Sequence, residues 1–218
     1  MIIIINEIKI LEPRISNYAK EIIKDIEFMT DDQIIENCTL RNAMLINNCA
    51  EYITIKNSYV ESVRFNGSEL KNIDASDCIF HKCDFSNVDL SDGIFHRAKF
   101  IECKLIGSIL AGASLQHVEF RECNLNYSSF KFSRIKKVEF NECSLVNTDL
   151  GSSELGQITL NKSNLKEAEF TGSVLAGVDF TTCDIEGISV RIDDLKNAIV
   201  TSEQAVELAK LIGVKVVR

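Results

Sequence analysis

An apolar residue occupies every fifth position through most of this 218-residue chain. The series runs from Leu40 to Leu195 and holds at all 32 positions, and Ile35 fits it as well. Two places before the apolar centre, the residue is mostly small, as at Cys83 and Ala113. A period of five belongs neither to an α-helix nor to a flat strand. Each unit must therefore bend the chain so that the same position faces the interior again.

A second period, of 20 residues, gives the number of units in one coil. Four units per coil place like residues on like, so 32 units predict 8 coils. With about 4.8 Å between stacked strands, the rod would be about 35–40 Å long. Cysteine and phenylalanine recur with this spacing at Cys83, Cys103, Cys123, Cys143 and Cys183, and at Phe80, Phe100, Phe120, Phe140 and Phe180.

The volume available to the core varies along the predicted rod. Ala75 is a small centre, but the large Ile73 stands two places before it and conserves the volume of the pair. Ala50 is also small and has only Asn48 beside it. The coil that contains Ala50 is therefore predicted to be the weakest.

Three units show the repeat clearly: 83–87 (CDFSN), 113–117 (ASLQH) and 168–172 (AEFTG). They resemble the A(D/N)LXX pattern of pentapeptide-repeat proteins, and the resemblance covers 36–195. It implies an all-β fold, a right-handed quadrilateral β-helix with the centre and the small residue pointing inward. The resemblance alone supplies the handedness.

The N-terminal residues 1–35 do not follow the repeat and are predicted to form a short cap, because the open end of a solenoid needs cover. The stretch 2–11 reads as an extended strand. Helical spacing predicts an amphipathic helix behind it. A family-specific binding arm is the alternative role for this region. The apolar face of the predicted helix would consist of Ile15, Tyr18, Ala19, Ile22, Ile23 and Ile26.

The C-terminal residues 196–218 predict a helix followed by a strand. Thr201 and Gln204 resemble a capping box, Gly213 suits the residue after a helix, and 214–217 reads as a short strand. This cap resembles that of the quinolone-resistance (Qnr-type) members, which implies a tail-to-tail homodimer; a monomeric cap is the alternative. The expected dimer residues are Ala205, Val206, Leu208, Ala209, Leu211, Ile212, Val214 and Val216.

The sequence predicts no enzyme, no cofactor, no metal and no small-molecule substrate. Seven of the eight cysteines, all but Cys49, fall at the inward small position, where thiols behave as small hydrophobes. The nearest metal-like grouping is Cys78, His81 and Cys83, but His81 should point outward. No nucleophile motif or glycine-rich phosphate loop is present, and a solid rod offers no cleft.

Charge is the remaining source of information about partners. The chain has 24 basic and 32 acidic residues, a net charge of −8, which disfavours direct binding to nucleic acid. Acidic residues recur one coil apart, and so does a basic row of Arg97, His117 and Lys137. The acidic face either forms a solvated surface with mixed ion pairs or imitates a row of DNA phosphates. It consists of Glu102, Glu119, Glu122, Glu139 and Glu142.

No stretch approaches the 18 or so apolar residues of a membrane span, and the apolar start ends at Asn6 and Glu7 without a basic region before it. A cytoplasmic protein with no membrane partner is therefore expected. In a reducing compartment the cysteines would remain thiols.

The family resemblance implies a DNA mimic that binds DNA gyrase or topoisomerase IV, inhibiting the enzyme, protecting it from quinolones, or both. One feature departs from many Qnr-type members, because no residue interrupts the coil between 36 and 195. That favours inhibition over protection. The alternative function is a structural or interaction scaffold with an unrelated protein partner.

Overall fold

A computed structural model describes residues 9–15, 20–22 and 26–217. In this part of the chain nine strands form one parallel sheet, and one α-helix lies near the C-terminus. Short 3-10 segments cover Ile192–Leu195 and Lys210–Ile212. The elements are β1 (Lys20–Ile22), β2 (Ile34–Glu36), β3 (Cys38–Arg41), β4 (Thr54–Glu61), β5 (Asp74–His81), β6 (Ile94–Ile101), β7 (Ser114–Arg121), β8 (Arg134–Asn141), β9 (Glu154–Asn161) and α1 (Ser202–Ala209).

The strand register confirms the coil of four units. From β4 to β9, the paired residues lie 20 positions apart, as Phe80 and Phe100 do, and only the corner residue of each strand is outside the pairing. On the sides of the coil that lie outside the named strands, single parallel bridges join residues with the same spacing, such as Arg64 with Asp84. A chain that returns to the same place every 20 residues forms a β-helix, and the predicted fold is confirmed.

Full eight-residue strands are confined to six coils, β4 to β9, and do not extend over the eight coils that the repeat predicts. Towards the C-terminus the pairing is reduced to single bridges, for example Asn164 with Asp184 and Glu169 with Ser189. On the N-terminal side, β2 and β3 each pair with β4 over only three residues. The last strands of a solenoid lack a complete neighbour on one side, so fewer backbone hydrogen bonds form there.

The core is a stack of the repeat centres. Every centre from Leu40 to Ile185 is buried except Leu155, which is partly buried. Phenylalanine rings stack directly on one another, with centroids 4.9 Å apart from Phe80 to Phe100 and from Phe100 to Phe120. This distance equals the spacing of adjacent strands, so the backbone itself sets the stacking of the rings.

The corners of the coil adopt the left-handed backbone conformation. Twenty-six described non-glycine residues have a positive φ, and none of them is Val, Ile or Thr, whose branched side chains are disfavoured there. Gly112 has φ +70°, and a Cβ there would lie 2.3 Å from Asp92 Oδ1. Elsewhere long unbranched side chains project from the corners, including Glu102 and Glu122.

The N-terminal region differs from the prediction. Residues 20–22 form β1, which pairs with β3 (Lys20 with Cys38), so the predicted helix is wrong at these residues. The open edge of the first coil offers unpaired N–H and C=O groups, and a parallel strand satisfies them. The rest of that helix, 16–19 and 23–25, and most of the predicted strand 2–11 lie outside the described residues. Residues 9–15 do not cover the first coil but lie on the side of the rod.

The C-terminal helix and its capping box are confirmed. Thr201 Oγ1 accepts a hydrogen bond from the Gln204 amide, and Gln204 Oε1 accepts one from the Thr201 amide. The Gln204 side-chain amide also donates to the carbonyls of Phe180 and Cys183, at 2.7 and 2.8 Å, and so ties the helix to the last coil. Gly213 has φ +77° and ends the helical region, as predicted.

The predicted strand at 214–217 is not formed. These residues are described without regular structure, and they are exposed. A strand needs a neighbouring edge for its backbone hydrogen bonds, and the described part of the chain places no edge beside them.

Candidate functional site

Three of the five predicted acidic residues form an exposed edge. Glu102, Glu122 and Glu142 occupy successive corners, with φ between 52° and 54°. The Glu102 side chain is 43% exposed and lies 3.6 Å from Lys82 Nζ; that of Glu142 is 53% exposed and lies 3.1 Å from Lys162 Nζ. Glu122 is exposed, with no ion pair within 4 Å in the described residues. We call these three residues the acidic edge.

The other two predicted acidic residues lie on the adjoining wall. Glu119 and Glu139 pair across β7 and β8, as the spacing predicts. The Glu119 side chain is only 8% exposed; it lies 3.0 Å from Lys99 Nζ and accepts a hydrogen bond from Arg121 Nε at 2.8 Å. Glu139 is half-buried and accepts a hydrogen bond from Asn141. Glu119 is therefore neutralised within the wall and does not face a partner.

Burial raises the pKa of the Glu119 carboxyl, but hydrogen bonds from Lys99 and Arg121 outweigh this and hold its pKa below the ordinary value. Glu102 has a lowered pKa for a different reason, because His81 and Lys82 stabilise its charged form at the surface. Both groups are carboxylates at neutral pH. Only Glu102 presents its charge to solvent.

The negative charge is concentrated near the C-terminal end of the rod, a difference that a net charge summed over 36–195 does not reveal. Residues 36–144 contain fourteen acidic and thirteen basic side chains, whereas residues 145–195 contain nine acidic and three basic ones. We call this second group the acidic end. Its carboxylates are Asp149, Glu154, Glu167, Glu169, Asp179, Asp184, Glu186, Asp193 and Asp194.

Apolar side chains are exposed beyond the acidic end. Of the predicted dimer residues, Leu208 packs against the core and Ala209 is partly buried. Ile212 is 58% exposed, and no other part of the described chain covers it. Several exposed aliphatic side chains on one helix and its continuation are typical of a surface that meets another protein. The exposed predicted residues are Ala205, Val206, Leu211, Ile212, Val214 and Val216.

The basic row consists of Arg97, His117 and Lys137, which occupy the corner in the middle of β6, β7 and β8. Arg97 forms a two-point ion pair with Asp77, at 2.6 and 2.5 Å, and His117 is buried. Lys137 is half-buried. Residues 9–15 lie across part of this row, so the basic row is not an open surface.

Comparison with known proteins identifies the repeat. A family model of the pentapeptide repeat region matches residues 73–150, and a second model, of eight pentapeptide repeat copies, matches 143–187. The chain is a pentapeptide-repeat protein. A search of curated protein sequences found no match.

Solved structures of other pentapeptide-repeat proteins resemble this one. HetL, a protein involved in the regulation of heterocyst differentiation from the cyanobacterium Nostoc, is 19% identical, with 78% of this chain and 87% of HetL covered and a TM-score of 0.46. A trypsin-treated variant of QnrB1, a plasmid-mediated fluoroquinolone resistance protein, is 18% identical, with 85% and 100% covered and a TM-score of 0.49. At these identities the likeness concerns the fold alone.

Most cysteines of this pentapeptide-repeat protein lie in the core, where six of the eight are buried and Cys183 is partly buried. Cys103 and Cys123 donate hydrogen bonds from Sγ to main-chain carbonyls one coil away, at 3.3 Å. Burial raises the pKa of the Cys78 thiol to about 12 and also raises those of Cys103 and Cys123. Protonated thiols are neither good nucleophiles nor metal ligands. Cys49 is the exposed one.

The described residues contain no group of three or more Cys, His, Asp or Glu side chains placed to hold a metal ion. His81, the histidine of the nearest metal-like grouping in the sequence, points outward as predicted and contacts Glu61, Glu102 and the Tyr59 hydroxyl. None of the described helices has the length and apolar character needed to cross a membrane.

Proposed function

We propose that this pentapeptide-repeat protein is a non-enzymatic DNA mimic that occupies the duplex-binding surface of a type II topoisomerase, DNA gyrase or topoisomerase IV. The observation that best supports this function is the charge density of the acidic end. Residues 145–195 make about two and a half coils, or about 12 Å of rod. A net charge of −6 over that length is one negative charge per about 2 Å, close to the one per about 1.7 Å of a DNA duplex.

The rest of the rod supports binding less strongly. Residues 36–144 have nearly balanced charge, and two members of the acidic edge, Glu102 and Glu142, already pair with Lys82 and Lys162. Exposed ion pairs of this kind are weak and exchange readily for a partner's cations. The acidic edge therefore extends the mimic, and the acidic end supplies most of its charge.

A homodimer through the C-terminal region would join two acidic ends. The exposed aliphatic side chains of Val206, Leu211 and Ile212 follow directly on the acidic end. Pairing of two 214–217 segments would also give each of them the strand partner that it lacks within one chain. The dimer would then carry an acidic end on each side of the two C-terminal segments 196–218, each of which contains four basic and two acidic residues.

A supercoiling assay with DNA gyrase, run with increasing protein and with or without ciprofloxacin, tests the proposal. We expect inhibition at low micromolar protein without the drug, because the coil has no interrupting loops. Restored supercoiling in the presence of the drug would also support binding and would add protection to it. No effect in either arm, repeated for topoisomerase IV, would overturn the topoisomerase assignment.

Two triple variants with the same change of charge locate the surface. Glu167→Gln, Asp184→Asn and Glu186→Gln alter exposed carboxylates of the acidic end. Glu102→Gln, Glu122→Gln and Glu142→Gln alter the acidic edge. We expect the first set to weaken inhibition on the order of tenfold and the second set less, since local charge density differs. Equal losses would contradict the assignment to the acidic end.

The dimer is tested separately by sedimentation. Ile212→Asp places a charge among exposed aliphatic side chains and should raise the dimer dissociation constant on the order of tenfold or more. Phe132→Asp is the control, because Phe132 is 64% exposed at a corner where Asp92 already stands two coils earlier. A wild-type monomer at all concentrations, or dissociation caused equally by the control, would contradict the dimer.

The second candidate function is a scaffold for an unrelated protein. Cross-coil ion pairs on the walls favour it, for example Lys71 with Asp89 and Lys166 with Asp184, because they spread both signs of charge over the surface. If the protein is a scaffold, we expect no effect in the supercoiling assay with either topoisomerase, whereas sedimentation should still show the dimer.

A further inference from the structure

Residues 9–15 lie as an extended segment along the outer wall of the rod. The Leu11 amide donates to His117 Nδ1 at 3.2 Å, and the Arg14 amide donates to Asp77 Oδ1 at 2.9 Å. His117 and Asp77 are two coils apart, about 9.6 Å, and three extended residues span about 10 Å. The segment therefore runs parallel to the rod axis and contacts the rod at matching intervals. We call residues 9–15 the strap.

The strap is also held at its middle. Glu12 Oε2 lies 2.6 Å from Lys99 Nζ, and Lys99 stands in the coil between those of Asp77 and His117. Lys99 in turn binds Glu119. Three successive coils thus each provide one contact to the strap, and each contact involves a charged or titratable side chain.

His117 must be neutral in this arrangement. Its side chain is 6% exposed, and Nδ1 accepts a hydrogen bond from a main-chain N–H, so its ring proton is on Nε2. A second proton would turn Nδ1 into a donor that faces the donor of Leu11. The contact would then become repulsive.

The surroundings of His117 also oppose a positive charge. The ring of His96 lies with its centroid 6.2 Å away. Burial, followed by the charges of Lys137, His96, Arg97 and Lys136, lowers the pKa of His117. Asp77, on the wall, is paired with Arg97, and on the strap Glu12 is paired with Lys99 and Arg14 adds a further positive charge. Of these groups, none offers a free carboxylate to a protonated His117.

We propose that the strap is a pH-sensitive cover, docked on the rod while His117 is neutral and released when His117 takes up a proton from solvent. Release separates Glu12 from Lys99 and removes the Arg14 amide from Asp77. It uncovers a side wall on which Arg97 and Lys99 keep their partners Asp77 and Glu119, while protonated His117 and Lys137 add positive charge. The strap thus controls access to a cationic surface on an otherwise acidic protein.

The direction of the pH dependence follows from linkage. The Leu11 amide needs a deprotonated Nδ1, so the pKa of His117 is lower in the docked state than in the released state. Burial, followed by the charge of Lys137, lowers this pKa from its ordinary value in any case. Above the pKa of the released state both states are neutral, and docking does not depend on pH. Below it, the docking constant falls about tenfold per pH unit until the lowered pKa is reached.

Hydrogen exchange of the Leu11 and Arg14 amides in the full-length protein, at pH 7.5 and pH 5.0, tests the strap. Each rate is divided by the intrinsic rate of an unstructured amide at the same pH. We expect protection of both amides to fall at least threefold at pH 5.0. Unchanged protection at the two pH values would overturn the proposal. The lower pH stays above the ordinary pKa of carboxyl groups, about 4.

Two glutamine variants test whether protonation of His117, and not of His96, causes the loss of protection. His117→Gln keeps an acceptor for the Leu11 amide, and Gln157 already occupies the same corner with φ 58°, so the fold tolerates it. We expect the strap of His117→Gln to stay docked at both pH values. His96→Gln introduces the residue that aligns with His96 in the next coil, Gln116, and should keep the direction of the wild-type response, a fall in protection at pH 5.0. A wild-type response in the first variant, or its loss in the second, would contradict the role of His117.

Discussion

Replacing Phe100 by alanine is expected to lower the free energy of unfolding by about 3–5 kcal/mol. Phe100 is fully buried and stacks between Phe80 and Phe120, with both centroids 4.9 Å away. It also meets the ring of Phe85 edge-on, at 5.8 Å. Because the coils above and below are fixed by backbone pairing, the wall cannot collapse into the space that alanine leaves. The part of the destabilisation that arises from the empty cavity should therefore be near the top of its usual range.

The matched control is Phe132→Ala. Phe132 belongs to the same residue type and the same rod, but it projects from a corner and is 64% exposed. Its removal should change stability by less than about 0.5 kcal/mol. Urea unfolding followed by circular dichroism measures both variants. Similar losses for the two would mean that ring stacking in the interior does not dominate the stability of this β-helix.

The coil could be predicted from the sequence because its cause is local and repeated. The same position faces inward in every unit, so one rule is tested 32 times between Leu40 and Leu195. The spacing of 20 residues between Phe80 and Phe100 then fixes the register, which the strand pairing confirms. Tertiary context adds little in the middle of the rod, because each coil contacts only its neighbours.

The ends could not be predicted in the same way, because their structure depends on what lies beside them. The isoleucines around 20–22 fit a helical pattern, but the open edge of β3 offers backbone partners, and a strand forms there. Residues 214–217 fit a strand pattern, but they have no such edge and stay irregular. The same kind of local pattern gives opposite outcomes at the two ends.

Asn48 shows a further limit of pattern analysis. Beside Ala50 it looks like a polar defect that should weaken the coil. In the structure its amide exchanges two hydrogen bonds with the main chain of Met29, at 2.6 and 2.9 Å, and the Met29 side chain is buried. A residue outside the predicted repeat thus satisfies the polar group and enters the core. Whether this coil is the weakest stays a prediction.

The sequence predicts where the five glutamates of the candidate site stand on the rod. It does not predict how far each of them is exposed to solvent. Glu119 stands at an outward position of the repeat, and position alone indicates contact with solvent. Lys99 in the preceding coil pairs with Glu119, Glu12 of the strap pairs with Lys99, and the fivefold pattern contains no information about either contact. No repeat rule could place the strap, because its contacts are separated by 63 to 106 residues.

Replacing Glu119 by glutamine is expected to lower the free energy of unfolding by about 2–4 kcal/mol at neutral pH. The variant keeps the shape of the side chain but leaves Lys99, whose side chain is 12% exposed, without its buried counter-charge. Arg121 loses its partner too, but its side chain is 45% exposed and can turn to solvent. The cost therefore arises mainly at Lys99, which retains only the exposed Glu12.

Glu122→Gln is the control, because it makes the same chemical change at an exposed position with no ion pair in the described residues and should alter stability by less than about 0.5 kcal/mol. The pH dependence gives a second readout. The lowered pKa of Glu119 means that its contribution is fully present above the ordinary glutamate pKa of about 4.3 and is lost as the pH falls through the lowered value. The difference between wild type and Glu119→Gln should stay constant from pH 5 to pH 8 and narrow below about pH 4. A difference that is small at neutral pH, or that widens in acid, would show that Lys99 and Glu119 do not stabilise each other within this wall.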